Sequence, residues 1–190
     1  MRSGHAGDAR AANRSLLVDP SGAITARYDK LHVFDVDLPN GERYRESAAV
    51  RPGDAAAVAD TPWGRLGLTI CYDIRFPHLH RHLARAGASM IAVPAAFTAP
   101  TGEAHWETLL RARAIETGAF VLAPAQGGLH EDGRRTWGRS TVVGPWGEVM
   151  ARADHDDPCI VRAKLDMEAV ARARRAIPAL THDRDFLPPA

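Results

Sequence analysis

The chain has 190 residues, 45% apolar and 25% charged, with a formal net charge of +1. That length suits one domain with a real core, and so even a charge balance excludes an electrostatic reason to bind nucleic acid or an anionic membrane surface. No apolar run approaches the roughly 20 residues of a membrane span, and Met1-Arg2-Ser3-Gly4-His5 does not read as a signal peptide. Two cysteines, Cys71 and Cys159, make no disulfide framework and fit a reducing, cytoplasmic setting.

Residues 1–12 are small, polar and patternless, and are expected to form a disordered lead-in to one domain over 13–190. Three hairpins are expected from their turn chemistry. Asp19-Pro20-Ser21-Gly22 separates Ser15–Val18 from Ala23–Tyr28, and Thr61-Pro62-Trp63-Gly64 separates Ala56–Ala59 from Arg65–Ile70. Gly144-Pro145-Trp146-Gly147 separates Ser140–Val143 from Glu148–Ala151. Proline in the second position and glycine in the fourth suit a type I turn. A helix is predicted over Pro77–Ala86, opening on its proline and stopping at Gly87. A second spans Glu103–Thr117, with Trp106, Leu109, Leu110, Ala114 and Ile115 at helical spacing. Ser89–Val93 and Phe120–Ala123 are apolar runs of the kind buried strands carry. Cys159–Ala163 reads as a further strand and Met167–Ala173 as a last short helix. Interleaved strands and helices with antiparallel hairpins define an α/β sheet protein.

The chemistry concentrates where the run Leu66–Ile70 drives into Cys71, Tyr72 and Asp73 ahead of Pro77. A strand that ends in a sharp turn before a helix fixes and exposes a nucleophile, and a helix start favours thiolate over thiol. The Tyr72 N–H is then placed to bind an oxyanion formed when Cys71 attacks a carbonyl. Taken alone, such a cysteine is also a small buried hydrophobe. Lys30, at the end of an alternating strand, reads alone as a solvated edge charge, and Glu46 as a loop carboxylate paired with Arg43 or Arg45. Phe97 fits either the core or a pocket wall at a strand end, beside Thr98. Glu107 with Arg111 and Arg113 with Glu116 have helical salt-bridge spacing. His78 and His82 are i,i+4 neighbours, but with no third ligand nearby the histidines read as a decorated solvent face, and no metal is assigned. No phosphate-binding loop or nucleotide fingerprint is present, so no cofactor is implied.

The ordered blocks Tyr28-Asp29-Lys30-Leu31-His32-Val33-Phe34-Asp35, Arg45-Glu46-Ser47, Cys71-Tyr72-Asp73-Ile74-Arg75-Phe76-Pro77, Pro94-Ala95-Ala96-Phe97-Thr98, Arg111–Glu116 and Gly144-Pro145-Trp146-Gly147 resemble the nitrilase superfamily of carbon–nitrogen hydrolases. Within it they resemble the amidase branch that holds omega-amidase and deaminated glutathione amidase. The resemblance implies an α-β-β-α sandwich, two sheets with helices outside, and a homo-oligomer that forms through those helices. It implies Cys71 as nucleophile, Lys30 as oxyanion stabiliser that biases the cysteine toward thiolate, and Glu46 as the lysine's support. Tyr72, Phe97 and Thr98 become oxyanion and substrate-binding residues. The substrate implied is a small linear amide, hydrolysed to carboxylate and ammonia through an acyl-enzyme.

One element of the family pattern has no counterpart. The superfamily uses a glutamate general base on an early strand, and residues 1–29 contain no glutamate. The expectation is therefore a partial carbon–nitrogen hydrolase domain over 13–190, lacking its first strands and helices, whose own activity is in doubt. N-carbamoyl or nitrile hydrolysis on the same site, and an inert fragment or scaffolding subunit, are the alternatives.

Overall fold

The computed structural model describes residues 7–187 and Pro189. Its centre is a six-stranded mixed sheet, ordered β14-β13-β10-β9-β8-β7. The strands are β7 (Ala57–Thr61), β8 (Gly64–Leu68), β9 (Ala88–Ala92), β10 (Phe120–Ala123), β13 (Thr141–Val143) and β14 (Val149–Arg152). The inner three, β8, β9 and β10, are parallel, which requires long crossovers. Helices α1 (Pro77–Arg85) and α2 (Ala99–Thr117) supply them. Hairpin partners β7, β13 and β14 add antiparallel edges.

Strand alternation decides what each face buries. Ile91, Val93, Val121 and Val143 face α1 and α2, where Leu79, Leu83, Trp106, Leu110 and Ala114 close the main core. Met90 and Phe120, one position out of phase, pack with Val170 of α3 (Glu168–Ala176). Leu68 and Ile70 meet Tyr28 of β3 (Ile24–Asp29), the second strand of a hairpin with β2 (Arg14–Val18). The mixed α/β class is the one expected. Among the described residues the second layer is represented by this hairpin, because the remaining strands form only two-stranded ladders. These are β1 (Ala11–Ala12) with β6 (Val50–Arg51), β4 (Asp35–Asp37) with β5 (Arg43–Arg45), and β11 (Gly127–Leu129) with β12 (Arg135–Trp137).

All three expected hairpins are present, with Gly22 and Gly147 at φ 87° and each donating its N–H back to the first residue of the turn. Helix α2 begins at Ala99, earlier than periodicity indicated, because Pro100 fits a first helical turn whose N–H groups have no intrahelical acceptor. Three expectations are corrected. The lead-in is not wholly patternless: residues 1–6 lie outside the described residues, but Ala11–Ala12 form a parallel ladder with Val50–Arg51. Cys159–Ala163 is no strand. It runs outside every ladder with Ile160 80% exposed, since alternation alone supplies no neighbouring strand. Finally, His80 is fully buried, while His78 and His82 stay on the solvent face.

Candidate active site

Parallel strands gather their carboxyl ends on one edge of a sheet, and the loops there form a crevice. Here the segments that follow β8, β9 and β10 line a cavity of about 920 Å³, joined by residues from the β2–β3 and β4–β5 hairpins. Every site residue expected from sequence lines it: Lys30, Glu46, Cys71, Tyr72, Phe97 and Thr98.

Lys30 follows β3 directly. Its N–H donates to the Asn13 carbonyl and its own carbonyl accepts from the Gly53 N–H, at 2.9 and 2.8 Å. The residue is only 2% exposed, so its ammonium needs a counter-charge. Nζ donates to Glu46 Oε2 at 2.5 Å. Glu46 opens a short 3-10 turn, Glu46–Ala48. Its Oε2 also accepts the Phe34 N–H at 2.6 Å, and Oε1 accepts from Asn13 Nδ2 at 3.1 Å. Burial pushes this carboxyl up, but the hydrogen bond and charge of Lys30, then Phe34 and Asn13, outweigh it and hold Glu46 below its ordinary value. Glu46 is therefore an engaged anion, poorly matched to proton abstraction near neutral pH.

Cys71 sits at the first position of a 3-10 turn, Cys71–Arg75, with φ 51°. A non-glycine residue in the left-handed region costs about 1–3 kcal/mol and persists only where its surroundings fix it. The Cys71 N–H donates to the Pro94 carbonyl at 2.9 Å. Arg113 Nε donates to the Ile74 carbonyl at 2.6 Å, while its Nη1 pairs with Glu116 at 2.9 Å, as their spacing indicated. The Asp73 carboxylate accepts the Ile70 N–H at 2.9 Å.

The electrostatics differ from expectation. Burial pushes the Cys71 thiol up; the Lys30 charge and the Ala96 N–H pull it down without cancelling that effect. Helix α1 begins only at Pro77, and the element that opens at Cys71 is the short 3-10 turn. Phe97 satisfies both of its readings, being buried 4.9 Å from the Trp106 ring while lining the cavity. Thr98 Oγ1 lies 2.7 Å from Thr101 Oγ1.

Sequence reading missed Asn13, Gln126 and Ser140, and a basic rim formed by Arg14, Arg43, Arg45 and Arg134. Arg14 is tied to Asp29 and Arg45 to Asp37, whereas Arg134 reaches Asp132 only at 3.9 Å. Arg43 and Arg45 flank Tyr44 just ahead of Glu46, the one local signal that this strand faces the site. Nothing in the β11–β12 turn marked Arg134. Among the described lining residues, Glu46 is the only carboxylate and none is a histidine.

The chain belongs to the carbon–nitrogen hydrolase family, which matches residues 2–175. More particularly, it is 50% identical over 171 residues to deaminated glutathione amidase of Yersinia enterocolitica, covering 90% of this chain and 59% of that relative. The crystal structure of the Caenorhabditis elegans NitFhit protein superposes with a TM-score of 0.86 at 44% identity, covering 93% of this chain and 43% of that one. A variant of the amidase from Nesterenkonia sp. AN1 gives a TM-score of 0.69 at 30% identity, covering 86% of this chain and 58% of that one. It shows covalent addition of the acetamide moiety of fluoroacetamide at the active-site cysteine. The chain thus spans about three fifths of the Yersinia relative's length.

Proposed function

We propose that the cavity hydrolyses a small linear carboxamide to carboxylate and ammonia through a Cys71 acyl-enzyme. The observation that carries this reading is the convergence of Cys71, Lys30 and Glu46 on one cavity. In the proposed reaction Sγ attacks the amide carbon while its proton leaves. The oxyanion is stabilised by the Lys30 ammonium and the Tyr72 N–H. Collapse breaks the C–N bond, the nitrogen departs as ammonia with one added proton, and water then hydrolyses the thioester. Glu46 keeps Lys30 charged and aimed. The covalent adduct in the Nesterenkonia amidase supports the nucleophile, since Cys71 is the one cysteine among the described lining residues.

The substrate class follows from the rim. Arginines around the mouth suit an amide that carries a carboxylate at its other end, and relatives named for deaminated glutathione make that amide the first to assay. Turnover by these 190 residues is proposed to be slow. With Glu46 engaged by Lys30, the thiol proton has no carboxylate acceptor among the described lining residues, and general-base help is worth about 10²–10⁴-fold. A homo-oligomer is the proposed assembly, as exposed Ile115, Trp146 and Ile177 leave apolar surface at the end of α2. A reducing, cytoplasmic compartment fits two free cysteines; no helix of the described residues is long and apolar enough to cross a membrane.

Ammonia release from a small primary amide with a carboxylate at its other end, from an N-carbamoyl amino acid and from a nitrile tests the reading. Amine release from deaminated glutathione, a secondary amide that yields no ammonia, is measured beside them, each with the parent chain and Cys71→Ala. Slow, Cys71-dependent release from the amides alone is the expected result. Faster Cys71-dependent turnover of either other substrate would replace it.

A further inference from the structure

Asp73 has no assigned role, is fully buried, and holds more partners than any other carboxylate near the cavity. Its Oδ2 accepts the Ile70 N–H at 2.9 Å and the Tyr28 hydroxyl at 2.6 Å. Its Oδ1 accepts the His32 N–H at 3.0 Å and stands 2.7 Å from His32 Nδ1, so that ring nitrogen carries the proton facing the carboxylate. These partners fall on two segments. Ile70 immediately precedes Cys71; Tyr28 and His32 bracket Lys30.

The same two segments are zipped on either side of that carboxylate. The His32 ring stacks on Phe76 at 3.5 Å, and Phe34 meets Tyr72 edge-on at 5.0 Å. Apolar rings alone would hold the segments together but leave them free to slide. Four directed bonds to one buried anion leave no such freedom.

We propose that Asp73 is the positioning residue of this site: it joins the Cys71 turn to the Lys30 segment and so sets the ammonium against the sulfur. This inference rests on the proposed pairing of Lys30 with Cys71. It carries a specific consequence. Both carboxylate oxygens accept a backbone N–H, and an amide has only one acceptor oxygen. Either orientation of asparagine at this position aims an NH₂ at a backbone N–H, so Asp73→Asn breaks the joint although it preserves shape. Tyr28→Phe removes the hydroxyl's bond to Asp73 and the bond it accepts from the Leu31 N–H, both on the Lys30 side, and keeps the charge of residue 73 and the ring of residue 28.

The test measures alkylation of Cys71 by iodoacetamide from about pH 7 to about pH 11, the thiol range, in a Cys159→Ser background. Each protein is made with and without Lys30→Met, and circular dichroism selects the folded variants. In the parent, removing Lys30 should raise the Cys71 midpoint, because a positive charge that favours thiolate is lost. In Asp73→Asn, and to a lesser degree in Tyr28→Phe, the Lys30-dependent increment should shrink by about half or more. The charge lost from residue 73 shifts both members of each pair alike and cancels from the increment. A purely structural role would lower the melting temperature and leave the increment unchanged; an unchanged increment in folded Tyr28→Phe and Asp73→Asn overturns the proposal. Should Asp73→Asn fail to fold, Tyr28→Phe decides alone. Absence of any Lys30 effect in the parent would reject the pairing of Lys30 with Cys71, and the positioning role with it.

Discussion

Lys30 and Glu46 illustrate how little of a residue's role is visible from its type. As a lone Asp-Lys pair at a strand end, Lys30 reads as an exposed edge charge; in the structure it is 2% exposed and bound to Glu46. Removing one member of a buried pair leaves the other uncompensated, at a cost of about 3–5 kcal/mol. Glu46→Ala should therefore destabilise the fold by about 3 kcal/mol in urea titration. Asp60→Ala, which breaks the exposed pair with Arg65, should change it by less than about 1 kcal/mol. Equal small losses would show that Lys30 finds another partner. The cysteines carry the complementary lesson. Cys159, expected within a strand, is exposed, while Cys71 is half-buried with its thiol pushed up by burial. A general thiol reagent should label both, and selectivity for Cys71 must come from an electrophile that the cavity binds. The hub at Asp73 could not be read in advance, because nothing local distinguishes a hub carboxylate from a turn aspartate.

At the scale of elements, what was legible was local. The turns at Asp19–Gly22, Thr61–Gly64 and Gly144–Gly147 were read correctly because their residues determine backbone geometry within four positions. Strands β4–β5 and β11–β12 were missed because they are short and polar, and their pairing is a tertiary matter. The strand expected at Cys159–Ala163 failed for the opposite reason: its pattern was right but no neighbour pairs with it. Gly53, two residues past β6, carries a constraint that no turn residue pattern announces. A Cβ at Gly53 would lie 2.2 Å from the Asp29 carbonyl oxygen, and the Gly53 N–H holds the Lys30 carbonyl. Because that neighbour is backbone, it cannot swing aside. Gly53→Ala should cost about 2 kcal/mol or more and displace Lys30, seen as a further rise in the Cys71 alkylation midpoint. A variant as stable as the parent, with an unmoved midpoint, would show that β3 relaxes without consequence.

The whole molecule adds an acid sensitivity that no local motif announced. His80 is on the buried face of α1, with Nδ1 on the Phe76 carbonyl and Nε2 without a hydrogen-bond partner among the described residues. Burial, reinforced by the Arg113 charge nearby, lowers its pKa from 6.5 to about 4. The unfolded chain binds this proton more readily, so the stability contributed by neutral His80 is intact above pH 6.5 and is lost as pH falls toward about 4. The loss amounts to about 3 kcal/mol at most. Glu46, lowered in the fold, adds a loss that sets in as pH falls through the ordinary carboxylate range. Thermal melts from pH 7.5 down to about pH 4.5 should thus fall steadily, and His80→Leu should flatten that slope. An unchanged slope in the variant would place the acid sensitivity elsewhere.

The claim on which the account turns is that Cys71 is a nucleophile served by Lys30 within the cavity. It is tested most directly by incubating the chain with fluoroacetamide and mapping the adduct by mass spectrometry. The Cys71 sulfur displaces fluoride and retains the acetamide group. The account predicts an adduct at Cys71, formed faster than at exposed Cys159 and slowed by Lys30→Met. An adduct confined to Cys159, or one at Cys71 whose rate ignores Lys30, would contradict it.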